Sequence, residues 1–437
     1  METLGRGLLV SSLRSVVGTP LFFEQLRESR LRKSYRYGTE RICSPEETWE
    51  RVRPLLPAFG ITRVSDLTWL DCIGVPVFAA IRPNSRTITQ SNGKGLTSMQ
   101  ARVSAVMEGI EVWHAEELPG SDRIASISEM NRNGLLSYDP YQLSLRPDSF
   151  LCDQIPIEWI PCEDVTNETT TYLPRELVNL DFCVEHRASF PCFTGSSNGL
   201  ASGNSHLEAA LHGLSEVIER DAITQYANYV NVSKGRRRLV APETITSRLC
   251  QELIERCRRA GAKVYVEDIS SEFGLPVFQA SVSLDDHYGL LSGYGCHPSR
   301  ETALLRALTE VLQERPTLIS AARDDIHASS YCMPRRSLTE QSLAQQLAER
   351  NGLIDYESVA NLENDYIERD LQTIVATLKE KLDTSVLLAD LTRHDYAIPV
   401  VKIVVPKMQI PANTLAAIRT GRSPSSAIGN PGSEDGR

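Results

Sequence analysis

The sequence predicts an α+β fold assembled from repeated units, each a strand pair followed by a helix, and three observations carry that expectation. A short pattern recurs: Asp66-Leu67-Thr68 ahead of Gly74-Val75-Pro76-Val77, Asp268-Ile269-Ser270 ahead of Gly274-Leu275-Pro276-Val277, and Asp390-Leu391-Thr392 ahead of Ile398-Pro399-Val400-Val401. β-Branched residues flanking Gly and Pro read as strand, turn, strand. The spacing to an acidic helix recurs too, because Glu108 lies 42 positions beyond Asp66 and Glu310 lies 42 beyond Asp268. A weaker copy begins at Asp164-Val165-Thr166 and puts Glu216 52 positions on, the longer connection expected of an insertion. Self-similarity of this kind marks one supersecondary unit used several times.

Taken in order, residues 1–34 have mixed charge and weak periodicity and read as a helical arm leading to Tyr37-Gly38-Thr39-Glu40-Arg41. Ser44, Pro45 and Glu47 then fit the N-cap, N1 and N3 positions of a helix. The three acidic helices are expected at about 97–117, 205–225 and 299–315. Further amphipathic helices are expected at about 241–260, starting near Pro242, and at 338–350 and 365–382. From Arg419 the chain is rich in Gly, Ser and Pro and has few apolar residues to bury, so it reads as a disordered tail.

Composition limits the function. With 437 residues, 41% hydrophobic and 23% charged, the chain can bury a large core and has no apolar run that would span a bilayer. The Leu8-Leu9-Val10 stretch meets Arg14 and Pro20 without a long apolar region, which argues against a secretory signal and for a cytoplasmic protein. A net charge of -10 argues against nucleic acid as a partner, and the one basic run, Lys234-Gly235-Arg236-Arg237-Arg238, reads as an exposed loop. The ten cysteines form no C-x-x-C pair, which disfavours zinc and leaves them as small core residues.

The chemistry is concentrated on the helices. Asn198-Gly199-Leu200-Ala201-Ser202-Gly203-Asn204-Ser205 is a small-residue turn feeding the second one, and it would leave the first N–H groups open to an anion. Along that helix Glu208, His212, Glu216 and Glu219 share one stripe. The first helix offers Glu108 and Glu111; the third offers Glu310, with Arg306 one turn earlier. If equivalent helices converge, five carboxylates share a small volume and need cations to offset their repulsion. Oxygen-only ligands favour Mg²⁺, which commonly bridges carboxylates to phosphates. Lys94, Arg220 and Arg306 would then meet phosphate oxygens, although each taken singly is more often a solvated cation or the partner of a nearby carboxylate. No G-x-x-x-x-G-K-[ST] is present, and Gly293-Tyr294-Gly295 lacks the third glycine of a dinucleotide fingerprint.

Gly93-Lys94-Gly95, Ser104-x-x-x-Glu108-x-x-Glu111, the Asn198–Gly203 turn with Glu208, Glu216-x-x-Glu219-Arg220-Asp221, and Arg306-x-x-x-Glu310-x-x-Gln313 together resemble the YcaO-domain family over roughly residues 40–405. One departure is Val112, where many members have Arg. The resemblance implies a YcaO-type fold, with mixed sheets and helices around a central nucleotide site, bounded by an arm at 1–40, a YcaO domain at 41–405 and an extension at 406–437. It implies ATP- and Mg²⁺-dependent activation of a peptide backbone amide: a nucleophile adds to the carbonyl, ATP phosphorylates the resulting oxygen, and phosphate leaves. Carried over by position, Glu108, Glu111, Glu216, Glu219 and Glu310 would hold Mg²⁺, while Lys94, Ser104, Asn204, Glu208, Arg220 and Arg306 would contact ATP. No single catalytic residue is implied.

Azoline-forming members often end in a P-x-P-x-P tail, whereas this sequence ends Asn430-Pro431-Gly432-Ser433-Glu434-Asp435-Gly436-Arg437. The Gly38-Thr39-x-Arg41 segment and the Gly74-x-Pro76 strand pair look more like the branch that works with a TfuA-type partner, which includes thioamide-forming enzymes. Expected partners are therefore a precursor peptide and a TfuA-type or leader-peptide-binding protein, with a homodimer left open. A cyclodehydratase and a non-catalytic ATP-binding accessory protein are the alternatives. Deleting residues 420–437 should leave the melting temperature and phosphate release unchanged, because such a segment buries little. Lost turnover at an unchanged melting temperature would favour the cyclodehydratase.

Overall fold

In the recurrent motifs the aspartate accepts a hydrogen bond from the backbone two residues on: Asp66 from Thr68, Asp268 from Ser270 and Asp390 from Thr392, each at 2.9 Å. The hydroxyl of that second residue then accepts the N–H of the next strand, from Val77 at 3.2 Å, Val277 at 3.0 Å and Val400 at 3.2 Å. Asp-x-Thr/Ser is thus a turn that competes locally for backbone donors and sets the register of a hairpin. The computed structural model describes residues 21–408 except 119, 184–190, 234, 285–286, 324, 327–330, 332–337 and 351. The tail from Arg419, Lys234 and the first 20 residues of the arm lie outside the described residues.

The strands are β1 (Arg63–Asp66), β2 (Val77–Ile81), β3 (Gln90–Lys94), β4 (Arg123–Ser126), β5 (Pro156–Asp164), β6 (Thr169–Pro174), β7 (Leu200–Ser202), β8 (Lys263–Asp268), β9 (Val277–Leu284), β10 (His287–Cys296), β11 (Leu387–Asp390) and β12 (Val400–Val404). They form three antiparallel sheets, ordered β1-β2-β3, β10-β9-β8 and β4-β5-β11-β12-β7, with β6 also on β5. The helices are α1 (Phe22–Glu28), α2 (Pro45–Val52), α3 (Ser98–Glu116), α4 (Ile127–Arg132), α5 (His206–Asn231), α6 (Arg248–Arg259), α7 (Arg300–Ser320), α8 (Leu338–Glu349) and α9 (Ile367–Leu382). The fold is α+β, with repeated units, as expected, but the named strands pair antiparallel throughout rather than in the mixed sheets the resemblance implied.

The registers of the three units coincide. Asp66 pairs with Phe78 and Phe78 with Gly93; Asp268 pairs with Phe278 and Phe278 with Gly295; Asp390 pairs with Val401 and Val401 with Ala201. Unit one is therefore β1-β2-β3-α3, unit two β8-β9-β10-α7, and unit three β11-β12-β7-α5. The third is wired across the chain: the hairpin that supports α5 comes from the C-terminal end. This corrects the assignment of Asp164 to the α5 unit. Asp164 opens a related turn, accepting the Asn167 N–H at 3.1 Å, and Thr166 Oγ1 accepts the Val386 N–H at 2.9 Å, but that turn connects β5 to β6 and pairs beside β11. The spacing of 52 to Glu216 is thus unrelated to the spacing of 42 elsewhere.

The helices lie against their strands at backbone distance. A Cβ added to Gly93 would sit 2.0 Å from the Ala105 nitrogen, and one on Gly295 would sit 2.2 Å from the Ala303 oxygen. In unit three the small residue has moved to the helix: Ala201 is on the strand, and a Cβ on Gly213 would come 2.8 Å from the Gly199 oxygen. The helix N-caps Thr97, Ser205 and Ser299 each accept a first-turn N–H and each stand four residues past the equivalent strand position. Apolar cores complete each unit: Val106 and Ile110 against the β11 and β12 side chains Leu387 and Val400, Leu214 and Ile218 with α9, and Leu304 and Leu308 with α6.

Other expectations change in detail. α5 runs six residues beyond 225, because Tyr226 Oη donates to Glu267 Oε1 at 2.8 Å and ties its last turns to β8. α7 continues through Pro316 to Ser320, and the segment near Pro242 is a short 3₁₀ turn ahead of α6. The basic run is not a free loop: Arg237 binds Glu267 at 2.9 and 3.0 Å, and Arg238 pairs with Asp268. Among the described residues no helix is long and apolar enough to cross a membrane. Gly93→Ala should destabilise the protein by about 3 kcal/mol, the upper range for overpacking, since backbone atoms cannot yield as side chains do. Denaturant unfolding measures this, and an unchanged midpoint would contradict the close crossing.

Candidate functional site

Because helix and strand are locked together in each unit, equal offsets from the strand position reach equal heights. Eleven residues past Gly93, Ala201 and Gly295 stand Ser104, His212 and Arg306; fifteen past stand Glu108, Glu216 and Glu310; eighteen past stand Glu111, Glu219 and Gln313. All nine line one cavity of about 890 Å³ enclosed by α3, α5 and α7. Lys94, Asn204, Glu208 and Arg220 line it as well, so the structure brings all eleven residues expected from the sequence to one place.

The strand ends reach across to neighbouring units. Lys94 Nζ of unit one binds Glu310 Oε2 of unit two at 2.6 Å. Ser202 of unit three donates to Glu111 Oε1 of unit one, from its N–H at 2.7 Å and its hydroxyl at 2.6 Å. The Tyr294 N–H reaches Glu310 Oε1 at 3.3 Å, and Arg220 Nε stands 3.9 Å from Glu216 Oε1.

Two opposed groups of charge result. Burial pushes Glu108 up to about 7, with Lys94 and Arg323 working against the rise and Glu216 and Glu310 adding to it. Burial pushes Glu111 up to about 8 against its Ser202 hydrogen bond, with Glu108 adding to the rise. Burial, then Glu310, brings Glu219 to about 7, and burial also raises Glu216. Glu310 goes the other way: burial opposes its charge, but Lys94, Arg220 and the Tyr294 N–H hold it below the usual carboxylate range. The side chains of Lys94 and Glu310 keep 26% and 29% of their exposure, so this pair faces the cavity's own solvent. On the basic side, burial and the adjacent Arg41 lower Arg306 to about 10, and Arg306 donates to the Cys296 carbonyl at 3.0 Å.

The first turn of α5 is not open to an anion, as the sequence suggested it would be. Glu208 fills it, accepting from Asn204 N and Nδ2 at 3.1 Å, from Arg41 at 3.3 Å and from Ile42 N at 3.0 Å. Asn204 Oδ1 accepts from Thr48 and Arg51, both at 3.0 Å. Glu208 and Asn204 therefore tie the segment from Arg41 to Arg51 over one end of the cavity. Arg41, Thr48, Glu314 and His212 also line the cavity and were not singled out as site residues from sequence. In the sequence Arg41 belongs only to the Gly38-Thr39-x-Arg41 segment of an aperiodic arm; His212 stands on the acidic stripe, and counting along the helix from the strand rather than from the aspartate gives it a level with Ser104 and Arg306.

A phosphate-bound Mg²⁺ fits this donor set. Burial raises the pKa values of four cavity carboxylates, while Arg306, crowded by Arg41, makes no ion pair among the described residues. Gln313 Oε1 is buried without a partner among the described residues. Among the described residues no three Asp, Glu, His or Cys side chains converge at direct ligand distance.

The YcaO cyclodehydratase family, described as ATP- and Mg²⁺-binding, matches residues 92–409. The chain belongs to the YcaO family. ATP and Mg²⁺ are that family's cofactors, as expected from the sequence. An uncharacterised protein of the tfuA 3′ region of Rhizobium leguminosarum bv. trifolii is 32% identical over 383 residues, covering 85% of this chain and 89% of the relative. This similarity supports the TfuA-associated branch. An uncharacterised protein of Mycobacterium tuberculosis is 35% identical over 298 residues, covering 68% of this chain; the chain spans 66% of that relative's length. The structure of YcaO from Methanopyrus kandleri bound with AMPPCP and Mg²⁺ superposes with a TM-score of 0.65 at 23% identity, over 88% of this chain and 97% of that one, a likeness of fold.

The raised carboxyl pKa values give a pH dependence. A carboxyl whose folded pKa exceeds its unfolded value stabilises the fold below the unfolded value and loses that contribution as pH rises through the folded one. For Glu108, Glu219 and Glu111 the loss begins above the ordinary value of 4.5 and is complete near pH 7 to 8. The melting temperature of the ligand-free YcaO protein should therefore fall by a few degrees from about pH 5 to about pH 8. Saturating Mg²⁺ with AMPPCP should flatten that decline, because cations favour the ionised carboxylates. Thermal melts across this range test both.

Proposed function

We propose that this YcaO chain uses Mg²⁺-ATP to phosphorylate a backbone amide oxygen of a ribosomally made peptide, in a domain spanning 41–405. The observation that carries the reading is the stacking of a hydrogen-bond donor level directly against a carboxylate level inside one cavity. Glu108, Glu111, Glu216, Glu219 and Glu310 would hold Mg²⁺; Lys94, Ser104, Asn204, Glu208, Arg220 and Arg306 would hold the nucleotide. Bound Mg²⁺-ATP supplies the phosphoryl group that turns the amide oxygen into a leaving group.

The chain's own residues then act by positioning and charge. Arg306, desolvated and crowded by Arg41, gains most from an anion, which favours phosphate at that level. Arg220 keeps its charge, because Glu219, Glu216 and Glu310 outweigh the cost of its burial, and so stays available to offset charge that develops on transfer. Lys94 stands against Glu310 where the two groups of charge meet. The arm from Arg41 to Arg51, tied down through Glu208 and Asn204, shields one end of the cavity from water.

Sulfide as nucleophile would give a thioamide, and the similarity to the tfuA-region protein favours that outcome with a TfuA-type partner. A Cys, Ser or Thr side chain as nucleophile would give an azoline, the reading favoured by the family's cyclodehydratase description. Purified protein incubated with the partner, a precursor peptide, sulfide and Mg²⁺-ATP should release phosphate and exchange one peptide oxygen for sulfur. Loss of one water would select the azoline, and an unchanged peptide mass would refute both. Separately, Glu219→Gln should weaken Mg²⁺-ATP binding about tenfold, as for a lost charged contact. Calorimetry showing unchanged affinity would remove Glu219 from the site.

A further inference from the structure

The three residues eleven positions past the strand crossings are Ser104, His212 and Arg306. Ser104 and Arg306 belong to the nucleotide set proposed above; His212 does not. All three face the cavity, and all three carry hydrogen-bond donors. His212 is half-buried there, on α5, between Glu208 one turn before and Glu216 one turn after. Neither of its ring nitrogens makes a hydrogen bond or ion pair among the described residues. Its neighbour His297 differs in this respect, since Nδ1 takes the Ser299 N–H at 3.1 Å.

The surroundings of His212 are cationic. Burial first, and then Arg306 from α7, Arg41 from the arm and Lys94 from β3, disfavour its protonated form. His297 faces it as well. A neutral imidazole presents one N–H and one acceptor nitrogen, and a site ringed by three cations draws an anion. Hard Mg²⁺ prefers oxygen, which excludes His212 from the metal level.

We infer that His212 is a phosphate-binding residue, the third member of a donor ring with Ser104 and Arg306, and that its imidazole N–H bonds a phosphoryl oxygen of the bound nucleotide. This rests on the Mg²⁺-ATP reading for the nucleotide but makes a separate claim about which part of the ligand His212 touches. No proton is transferred; the residue binds and orients. The ring follows from the fold itself, because the three side chains occupy one register on three helices locked to their strands.

The test uses His212→Phe, which keeps a ring and removes both nitrogens, and His212→Gln, which restores an N–H donor. Each is titrated with Mg²⁺-ATP, with inorganic tripolyphosphate plus Mg²⁺, and with adenosine. His212→Phe should weaken ATP and tripolyphosphate about tenfold and leave adenosine unchanged, as expected for a hydrogen bond to a charged group. His212→Gln should recover most of that loss. His212→Ala replaces the Phe variant should the latter not fold, and the full-length wild type provides the reference melting temperature. Equal losses for ATP and adenosine, or no loss for tripolyphosphate, would overturn the inference. A wild-type chain that binds tripolyphosphate but not ATP, with the loss confined to the variants, would keep the inference and overturn the nucleotide reading. A wild type that binds neither would overturn both.

Discussion

Everything in this protein depends on how closely three helices cross three strands. At Gly93 and Gly295 the helix backbone lies where a side chain would otherwise be, and at Gly213 the helix gives up its own side chain to achieve the same approach. Contact at backbone distance fixes the rotation and height of each helix far more strictly than apolar packing does, since side chains can repack but the chain itself cannot. With rotation and height fixed three times over, a residue at a given offset reaches the same level from all three sides. Serine, histidine and arginine form one level, three glutamates the next, and two glutamates with a glutamine the third.

That geometry imposes an electrostatic cost which the fold does not remove. Like charges from different units are held together in a desolvated space, and the carboxyl groups respond by taking up protons near neutrality. A scaffold evolved for stability alone would place apolar residues here, as the cores just outside the cavity do. The retained strain on charge is the sign of a binding site, and its two-sided character, acid against base, matches a ligand that is itself a metal cation on a polyphosphate.

The sequence disclosed those parts of the structure whose cause is local. The Asp-x-Thr/Ser turns were visible because two hydrogen bonds within a few residues produce them, and the acidic helices because Glu108 and Glu310 keep a constant distance from such turns. The wiring of unit three was hidden, since β7 has three residues and its partner β12 lies two hundred residues downstream. Arg237 and Arg238 looked solvent-exposed for the same reason: their partners Glu267 and Asp268 are 30 residues away. Arg41 reaches the site from a segment with no periodicity, and only its contact with Glu208 gives it a place.

Two polar contacts tie neighbouring units together. Lys94 at the end of β3 reaches Glu310 on α7, and Ser202 at the end of β7 reaches Glu111 on α3. The remaining strand end, Cys296, pairs with the same register position and is buried beside Glu219 on α5. The ends of β3 and β7 thus meet the helix of the next unit, whereas the Cys296 carbonyl accepts from Arg306 on its own α7 at 3.0 Å. An ion pair within a unit would stabilise only what the backbone crossing already holds; one between units sets the separation of the helices, and therefore the width of the cavity. The same Glu310 and Glu111 carboxylates that set this width are those a cation would engage. Charge arriving in the cavity consequently acts on the contacts that hold its three walls apart, and ligand binding and the relative placement of the units become one equilibrium.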